Sequence, residues 1–258
     1  MEKLLKFVDV SLTYQTPKSE VFALDNVSFE VGKGEFVAIV GPSGCGKTTI
    51  LSLIAGLILP SNGQILIEGK TLEKNSNIGY MFQHDHLFEW RTIWQNIMLG
   101  LEVKGMANNK DEIQRMSTML NKYGLGEFKK NKPSQMSGGM RQRAALLRTL
   151  AIKPQLLLLD EPFSALDFQT RLAVCDNVYQ IITEEKQTVV LVTHDISEAI
   201  SMADRIIILT SRPAKIKNIL QVKLKKYGLP LKRRESPEFH MLFEKILKEL
   251  EENEETKV

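Results

Sequence analysis

The chain is 258 residues long, 43% hydrophobic and 25% charged, a balance that excludes a disordered or fibrous polymer and allows one large α/β domain with a substantial core. Two cysteines, Cys45 and Cys175, lie far apart and outside any C-x-x-C spacing, which excludes a disulfide framework and fits a reducing compartment. The net charge of +3 is unevenly spread: nine basic and no acidic residues run from Ser211 to Arg234, then eight glutamates face three lysines from Glu235 onward.

Charges at Glu2, Lys3, Lys6 and Asp9 leave no apolar core of leader-peptide length at the start. The longest apolar stretches, Ile50 to Leu59 and Leu156 to Leu159, fall short of the roughly 20 residues that span a bilayer, so any membrane role is expected through a partner. Leu4 to Tyr14 and Val21 to Val31 read as an antiparallel strand pair around the turn-rich Gln15-Thr16-Pro17-Lys18-Ser19. Phe36 to Val40 is a continuous apolar run, the pattern of a strand covered on both faces in a parallel sheet, and a helix follows at once. Further strands are predicted at Gly63 to Glu68 and Ile78 to Gln83, and helices at Thr92 to Lys104 and Lys110 to Tyr123.

Helix then alternates with strand: Gly138 to Ile152, Leu156 to Asp160, Phe168 to Glu185, Thr188 to Thr193 and Ile196 to Ala203. That alternation predicts a parallel sheet with helices on its faces. Arg205 to Thr210 and Ile216 to Val222 are expected to close the sheet, and Pro237 to Glu251 to form a charged terminal helix. The basic block before that helix reads either as a solvated surface or as a patch for anionic lipid headgroups or nucleic acid.

Gly41-Pro42-Ser43-Gly44-Cys45-Gly46-Lys47-Thr48 fits G-x-x-x-x-G-K-[ST] and lies between a buried strand and a helix, as a phosphate-binding loop requires. Gly41, Gly44 and Gly46 let the backbone close around phosphate oxygens, so that successive N–H groups and the helix N-terminus face the anion. Lys47 adds a full charge near the β- and γ-phosphates. The Thr48 hydroxyl is short enough to reach a bridging Mg²⁺, and Ser43 and Thr49 can donate to the phosphates. At this helix N-terminus the Cys45 thiol is expected to be somewhat acidified and sensitive to oxidation. The loop alone does not choose among kinase, GTPase, motor and transporter ATPase. A guanine-reading Asn-Lys-x-Asp is missing, since Asn109-Lys110-Asp111-Glu112 misplaces the aspartate, which favours ATP.

Leu156-Leu157-Leu158-Leu159-Asp160-Glu161-Pro162 is an apolar strand ending in two carboxylates, where open parallel sheets bind ligands. Asp160, in line with the strand, can hold a metal or its waters, while Glu161 points elsewhere and can orient or deprotonate an attacking water.

Met136-Ser137-Gly138-Gly139-Met140-Arg141-Gln142-Arg143, just before those carboxylates, resembles the signature of ATP-binding cassette (ABC) ATPases. Gln83 after a strand, Ser164-Ala165-Leu166-Asp167 after the carboxylates and His194 after a strand follow the family order. The resemblance implies a P-loop NTPase (RecA-like) core with an antiparallel β subdomain and a helical subdomain at about residues 85–145. The cassette would span residues 1–210 and residues 211–258 a C-terminal extension packed on it or trailing it. It also implies an ATPase that uses ATP and Mg²⁺, in which Tyr14 stacks on adenine, Gln83 contacts the metal and the attacking water, and His194 bonds the γ-phosphate. Ser137, Gly138 and Gly139 would cap the nucleotide of a second copy, with Asp167 crossing the same interface, so that ATP holds a homodimer together. Met136 and Met140 stand where the family usually has leucine and glutamine, and neither supplies the serine hydroxyl or glycine backbone that meets phosphate.

The phosphate loop, Leu87-Phe88-Glu89-Trp90, Ser211-Arg212-Pro213 and Lys232-Arg233-Arg234-Glu235-Ser236-Pro237-Glu238-Phe239 are similar to the nitrate, sulfonate and taurine uptake branch. That implies an importer subunit on the cytoplasmic face of the membrane, paired with two permease subunits and, indirectly, an external solute-binding protein. Phe88, Trp90 and Trp94 are then either an apolar docking groove for the permeases or subdomain core. His84 and His86 flank Asp85, but no third metal ligand is evident nearby. The competing reading is an ABC-type ATPase acting on nucleic acid or the ribosome, which only the basic block favours.

Overall fold

A computed structural model describes residues 2–15, 19–72 and 77–255, so Thr16-Pro17-Lys18 of the expected turn lie outside the described residues. In chain order the strands are β1 (Lys3–Gln15), β2 (Glu20–Gly32), β3 (Phe36–Val40), β4 (Asn62–Ile67), β5 (Lys70–Thr71), β6 (Ile78–Met81), β7 (Leu156–Asp160), β8 (Thr188–Val192), β9 (Arg205–Leu209) and β10 (Ile216–Gln221). The helices are α1 (Lys47–Ile54), α2 (Ile93–Ile97), α3 (Leu99–Val103), α4 (Lys110–Lys122), α5 (Gly138–Leu150), α6 (Phe168–Glu184), α7 (Ile196–Met202), α8 (Pro230–Arg233) and α9 (Pro237–Glu255). They fall into two compact units, one of Met1–Ser76 with Lys186–Val258 and the other of Asn77–Glu185.

In the first unit, β1 and β2 pair antiparallel as expected, and β4 and β5 extend that sheet in the order β2-β1-β4-β5. The β1–β2 register slips between Phe7 and Val10, where Asp9 turns into the left-handed region at φ 50°. Ser28 locks the bulge: its Oγ accepts from the Asp9 N–H at 2.8 Å and donates to Asp9 Oδ1 at 2.8 Å. β3 is buried at every position and pairs parallel with β8 on one side and β9 on the other. A strand covered on both faces has no solvent side to mark with polar residues, so its sequence is an unbroken apolar run.

β10 closes this side antiparallel to β9. The C-terminal segment packs back on the same unit, with α9 against α7 and β9. Ser236 starts α9, its Oγ accepting from Phe239 N–H at 3.3 Å ahead of Pro237 in the first turn. Arg233 is 1% exposed, and its guanidinium donates to Ser201 O at 2.9 Å and Gly228 O at 2.7 Å.

Part of the basic block is paired within the unit. Lys215 pairs with Asp25 at 2.9 Å, Lys225 with Asp204 at 2.7 Å, and Lys226 with Glu238 at 2.8 Å. Lys217 reaches Glu252 at 3.2 Å and the Glu249 carbonyl at 2.6 Å. Two of these four lysines take aspartates from earlier in the chain and two take glutamates of α9, so the segment is a partly matched surface.

In the second unit, β6 pairs parallel with β7, and α5 packs on β6, α2 and α6. The helix predicted over Thr92 to Lys104 is realised as α2 and α3, which meet at Met98. Its N–H still bonds Trp94 O and its carbonyl still accepts from Glu102 N–H, both at 2.9 Å, so the helical course runs on through a one-residue irregularity. Thr92 and Gln95 form a reciprocal cap at the start of α2.

Asn96 is fully buried and ties the preceding loop to α2. Its Oδ1 accepts from Phe88 N–H at 2.7 Å, and its amide donates to Phe88 O at 3.1 Å and Thr92 O at 3.0 Å. Asn96→Ala is expected to lower stability by roughly 2–4 kcal/mol, because it strands buried backbone groups as well as removing bonds. Urea unfolding checks this, and a midpoint equal to that of the unmodified chain would contradict the assigned role of Asn96.

Candidate functional site

The phosphate loop, Tyr14 and His194 all belong to the first unit. β3 and β8 are parallel neighbours with Ile39 opposite Val192, so the loop leaving β3 and the turn leaving β8 emerge at the same carboxyl edge. Gly44 at φ 70° and Gly46 at φ 122° are left-handed, conformations that L side chains rarely adopt. A Cβ at Gly41 would meet Cys45 Sγ at 2.9 Å. α1 begins with Gly46 as its N-cap, without a side-chain acceptor and without an acidic residue in the first turn. Its first amides and the positive end of its dipole are thus left facing the loop, a setting made for an anion.

Lys47 is 7% exposed, and its Nζ donates to Gly41 O at 2.8 Å and Pro42 O at 3.0 Å, drawn back across the loop. Ser43 and Thr48 are exposed, and Thr49 Oγ1 lies 3.3 Å from Tyr14 OH. Tyr14 is 39% exposed and not a core tyrosine, which leaves its ring open to a planar partner. The Cys45 thiol, by contrast, is 1% exposed. Burial pushes its pKa up, outweighing the opposing charges of Lys47 and Arg212, so the expected acidification is corrected: here desolvation beats the helix N-terminus.

His194 is exposed in the tight turn between β8 and α7. The turn is set by its neighbours: Thr193 Oγ1 donates to Glu198 Oε2 at 2.7 Å, and Asp195 caps α7 by accepting from Ser197 and Glu198 N–H at 2.7 and 3.1 Å.

Gln83, the carboxylate pair, the Ser137 motif and Asp167 belong to the second unit. Asp160 ends β7 at 8% exposure, and Tyr80 OH donates to its Oδ2 at 2.9 Å. Burial and the Asp160 charge both raise the Tyr80 pKa, keeping the phenol protonated as the donor. Sequence periodicity had no means of finding Tyr80, since its role comes from the β6–β7 register. Glu161 holds φ 45°, a left-handed conformation in a residue that is not glycine, and its carbonyl accepts from Ser164 Oγ at 3.0 Å. Gln83 is exposed two residues beyond β6.

Ser137 is the N-cap of α5, its Oγ accepting from Met140 N–H at 3.3 Å, and Asp167 is the N-cap of α6, accepting from Thr170 N–H at 3.0 Å. Hydrogen bonding from the Thr170 side chain, and then from its backbone N–H, holds the Asp167 carboxyl below its ordinary range. Both caps open into one cavity of about 410 Å³ that Gly138 and His84 also line. A Cβ at Gly138 would meet Leu166 at 2.9 Å and one at Gly139 would meet Val174 at 2.7 Å, so these glycines seat α5 closely on the segment around Asp167.

Arg141 and Arg148 of α5 pin the loop after Gln83, a link the sequence reading did not reach. Arg141 pairs with Asp85 at 2.9 Å, and Arg148 donates to the carbonyls of Asp85 and His86 at 2.7 Å each. Of the aromatic trio, Phe88 stacks on Trp90 at 4.7 Å with Trp90 72% exposed, while Lys129 Nζ lies 3.7 Å over the Trp94 ring. Among the described residues no group of three or more His, Cys, Asp or Glu could cage a metal, and no helix is long and apolar enough to cross a membrane.

Comparison with known proteins bears on this arrangement. The model of the family described as ABC transporter matches residues 24–164, a span that holds the phosphate loop and both carboxylates. The chain is 47% identical over 243 residues to the uncharacterised ABC transporter ATP-binding protein YtlC of Bacillus subtilis, covering 93% of each chain. It is 38% identical over 245 residues to the aliphatic sulfonates import ATP-binding protein SsuB of Bacillus cereus, covering 94% of each. Among solved structures it is similar to the dimeric ATP-binding cassette MJ0796 in a post-hydrolysis state bound to ADP and Pi. That likeness has a TM-score of 0.72 at 32% identity and covers 85% of this chain and 99% of that one.

Proposed function

This chain belongs to the ABC transporter ATP-binding family, and from that premise we propose that it is the ATP-hydrolysing subunit of an importer for a small anionic solute of the nitrate, sulfonate or taurine kind. It has the ABC ATPase fold and its reaction is ATP hydrolysis. The observation that carries the ATPase reading is the phosphate loop, where left-handed Gly44 and Gly46 lead into a helix whose first turn has no side-chain cap. The likeness to a sulfonate import protein supports the direction and the solute class.

In this reading Gly41, Ser43, Gly44, Cys45, Gly46 and Thr49 bind phosphate through backbone and hydroxyl donors, and Lys47 neutralises the β- and γ-phosphates. Tyr14 stacks on the adenine. Glu161 accepts a proton from the attacking water, Gln83 orients that water, and His194 donates to the γ-phosphoryl oxygen as charge builds there. Thr48, Gln83 and Asp160 would hold Mg²⁺. They can offer hydroxyl, amide and carboxylate oxygens, the hard donors that Mg²⁺ takes alongside substrate phosphates. Such an ion supplies charge neutralisation on the phosphates. Tyr80 orients Asp160 by donating to Oδ2.

Ser137, Gly138, Gly139 and Asp167 serve the nucleotide of a second copy, so ATP closes a homodimer and hydrolysis releases it; the dimeric state of the similar MJ0796 cassette supports this. Residues 1–210 form the cassette, with a helical subdomain at about 85–145, and residues 211–258 an extension. The protein works peripherally on the cytoplasmic face of the membrane, where two permease subunits dock and an external solute-binding protein delivers the solute. The pairing of Lys215, Lys217, Lys225 and Lys226 with carboxylates of the same unit weakens the case for a nucleic-acid partner.

Co-purification with its permeases and reconstitution into vesicles is the test. ATP supplied on the side of this chain is expected to drive labelled alkanesulfonate, taurine or nitrate away from the solute-binding-protein side. Transport in the reverse direction, or ATP-stimulated binding to ribosomes or nucleic acid with no permease recovered, would overturn the importer assignment.

A further inference from the structure

Ser211, Arg212 and Pro213 lie in the turn between β9 and β10, and the reaction described above gives them no part. Arg212 Nη2 donates to Gly44 O at 2.6 Å, bridging 168 positions of sequence to touch the phosphate loop. The rest of the hairpin lies behind the same loop. Ala214 is bonded into the β2 backbone, donating to Ala23 O at 2.9 Å and accepting from Asp25 N–H at 3.0 Å. A Cβ at Gly46 would meet Leu24 at 3.1 Å and Ala214 at 4.0 Å, and one at Gly41 would meet Leu209 at 3.1 Å. All three loop glycines therefore face this hairpin or the strand it is bonded to.

We propose that Arg212 is a nucleotide-site residue: it fixes the Gly44–Cys45 peptide of the phosphate loop and stands as a second cation, beside Lys47, for the polyphosphate. The inference rests on reading that loop as the ATP site. A trans peptide is planar, with C=O and N–H on opposite sides. A guanidinium holding Gly44 O outward consequently turns the Cys45 N–H into the loop, where it makes a long bond of 3.3 Å to Pro42 O. The guanidinium carries five donors, and among the described residues one is engaged, to Gly44 O. The side chain is exposed on the carbonyl side of that peptide, so its charge acts on the polyphosphate through the loop. Its field reaches into the loop, since its charge, with that of Lys47, opposes the burial that raises the Cys45 thiol pKa.

The test compares Arg212→Ala, Arg212→Gln and Arg212→Lys by binding of a fluorescent ATP analogue, steady-state hydrolysis and thermal unfolding without nucleotide. Alanine and glutamine are expected to raise the dissociation constant and KM for ATP about tenfold, the size of one charge-assisted hydrogen bond. Lysine should restore affinity to within about threefold, as the charge is kept and the rigid fork is lost. Turnover at saturating ATP should change less than about twofold, because binding and not chemistry is affected. An alanine variant binding ATP within twofold of the unmodified chain overturns the proposal, and so does a loss of affinity matched by a fall in the unliganded melting temperature. Failure of the unmodified chain to bind ATP would instead overturn the reading of the loop itself.

Discussion

Lys47→Ala is expected to weaken ATP binding by at least about 100-fold, close to 2.7 kcal/mol or more. The ammonium is nearly buried and sits 2.8 and 3.0 Å from two carbonyls of the loop, so it is held in place and poorly screened by solvent. Alanine removes the full positive charge and frees the Gly41 and Pro42 oxygens, which repel the phosphate that the amides attract. Lys47→Met keeps most of the apolar stem and separates lost charge from lost packing. Titration calorimetry with ATP checks the prediction for both variants. An alanine dissociation constant within about threefold of the unmodified value would remove the phosphate-loop assignment, provided the circular dichroism spectrum is unchanged.

Glu161→Gln is the second large effect: turnover should fall by about 10²–10⁴-fold while ATP affinity stays within a few-fold. Glutamine matches glutamate in length and reaches the same places, but its amide takes no proton from water. The backbone at φ 45° is no harder for one than for the other, so the local turn and its Ser164 bonds persist. With hydrolysis stopped and binding intact, ATP should hold two copies together. Gel filtration in saturating Mg-ATP is expected to show a dimer that reverts when nucleotide is removed. Near-normal turnover by a variant that stays monomeric would take both the base and the dimer mechanism away.

Several elements were legible in the sequence almost residue for residue, and the reason is physical. β3, β7 and β8 are covered on both faces, so Phe36–Val40, Leu156–Asp160 and Thr188–Val192 stand out as apolar runs with polar or glycine-rich ends. The phosphate loop was legible because its glycines answer to local backbone geometry. β5 and α8 were not, since two and four residues are too few to show a period. The lateral support of the site was equally hidden. Tyr80 meets Asp160 only through strand register, and Arg141 and Arg148 meet Asp85 and His86 only once α5 is packed. Such pairs join positions tens of residues apart, where neither spacing nor composition leaves a trace. The basic block shows the same limit: counted along the chain it looks like a uniform cationic patch, whereas in the fold four of its lysines meet Asp25, Asp204 and glutamates of α9.

Glu161 also sets robustness against turnover at a single position. A non-glycine residue in the left-handed region is strained by roughly 1–3 kcal/mol, and glycine there would relax the turn. The same exchange deletes the carboxylate proposed to take the water's proton. Breeding this protein for heat tolerance alone would therefore steer position 161 toward a sturdier but inert descendant, so any such programme has to screen for phosphate release alongside survival.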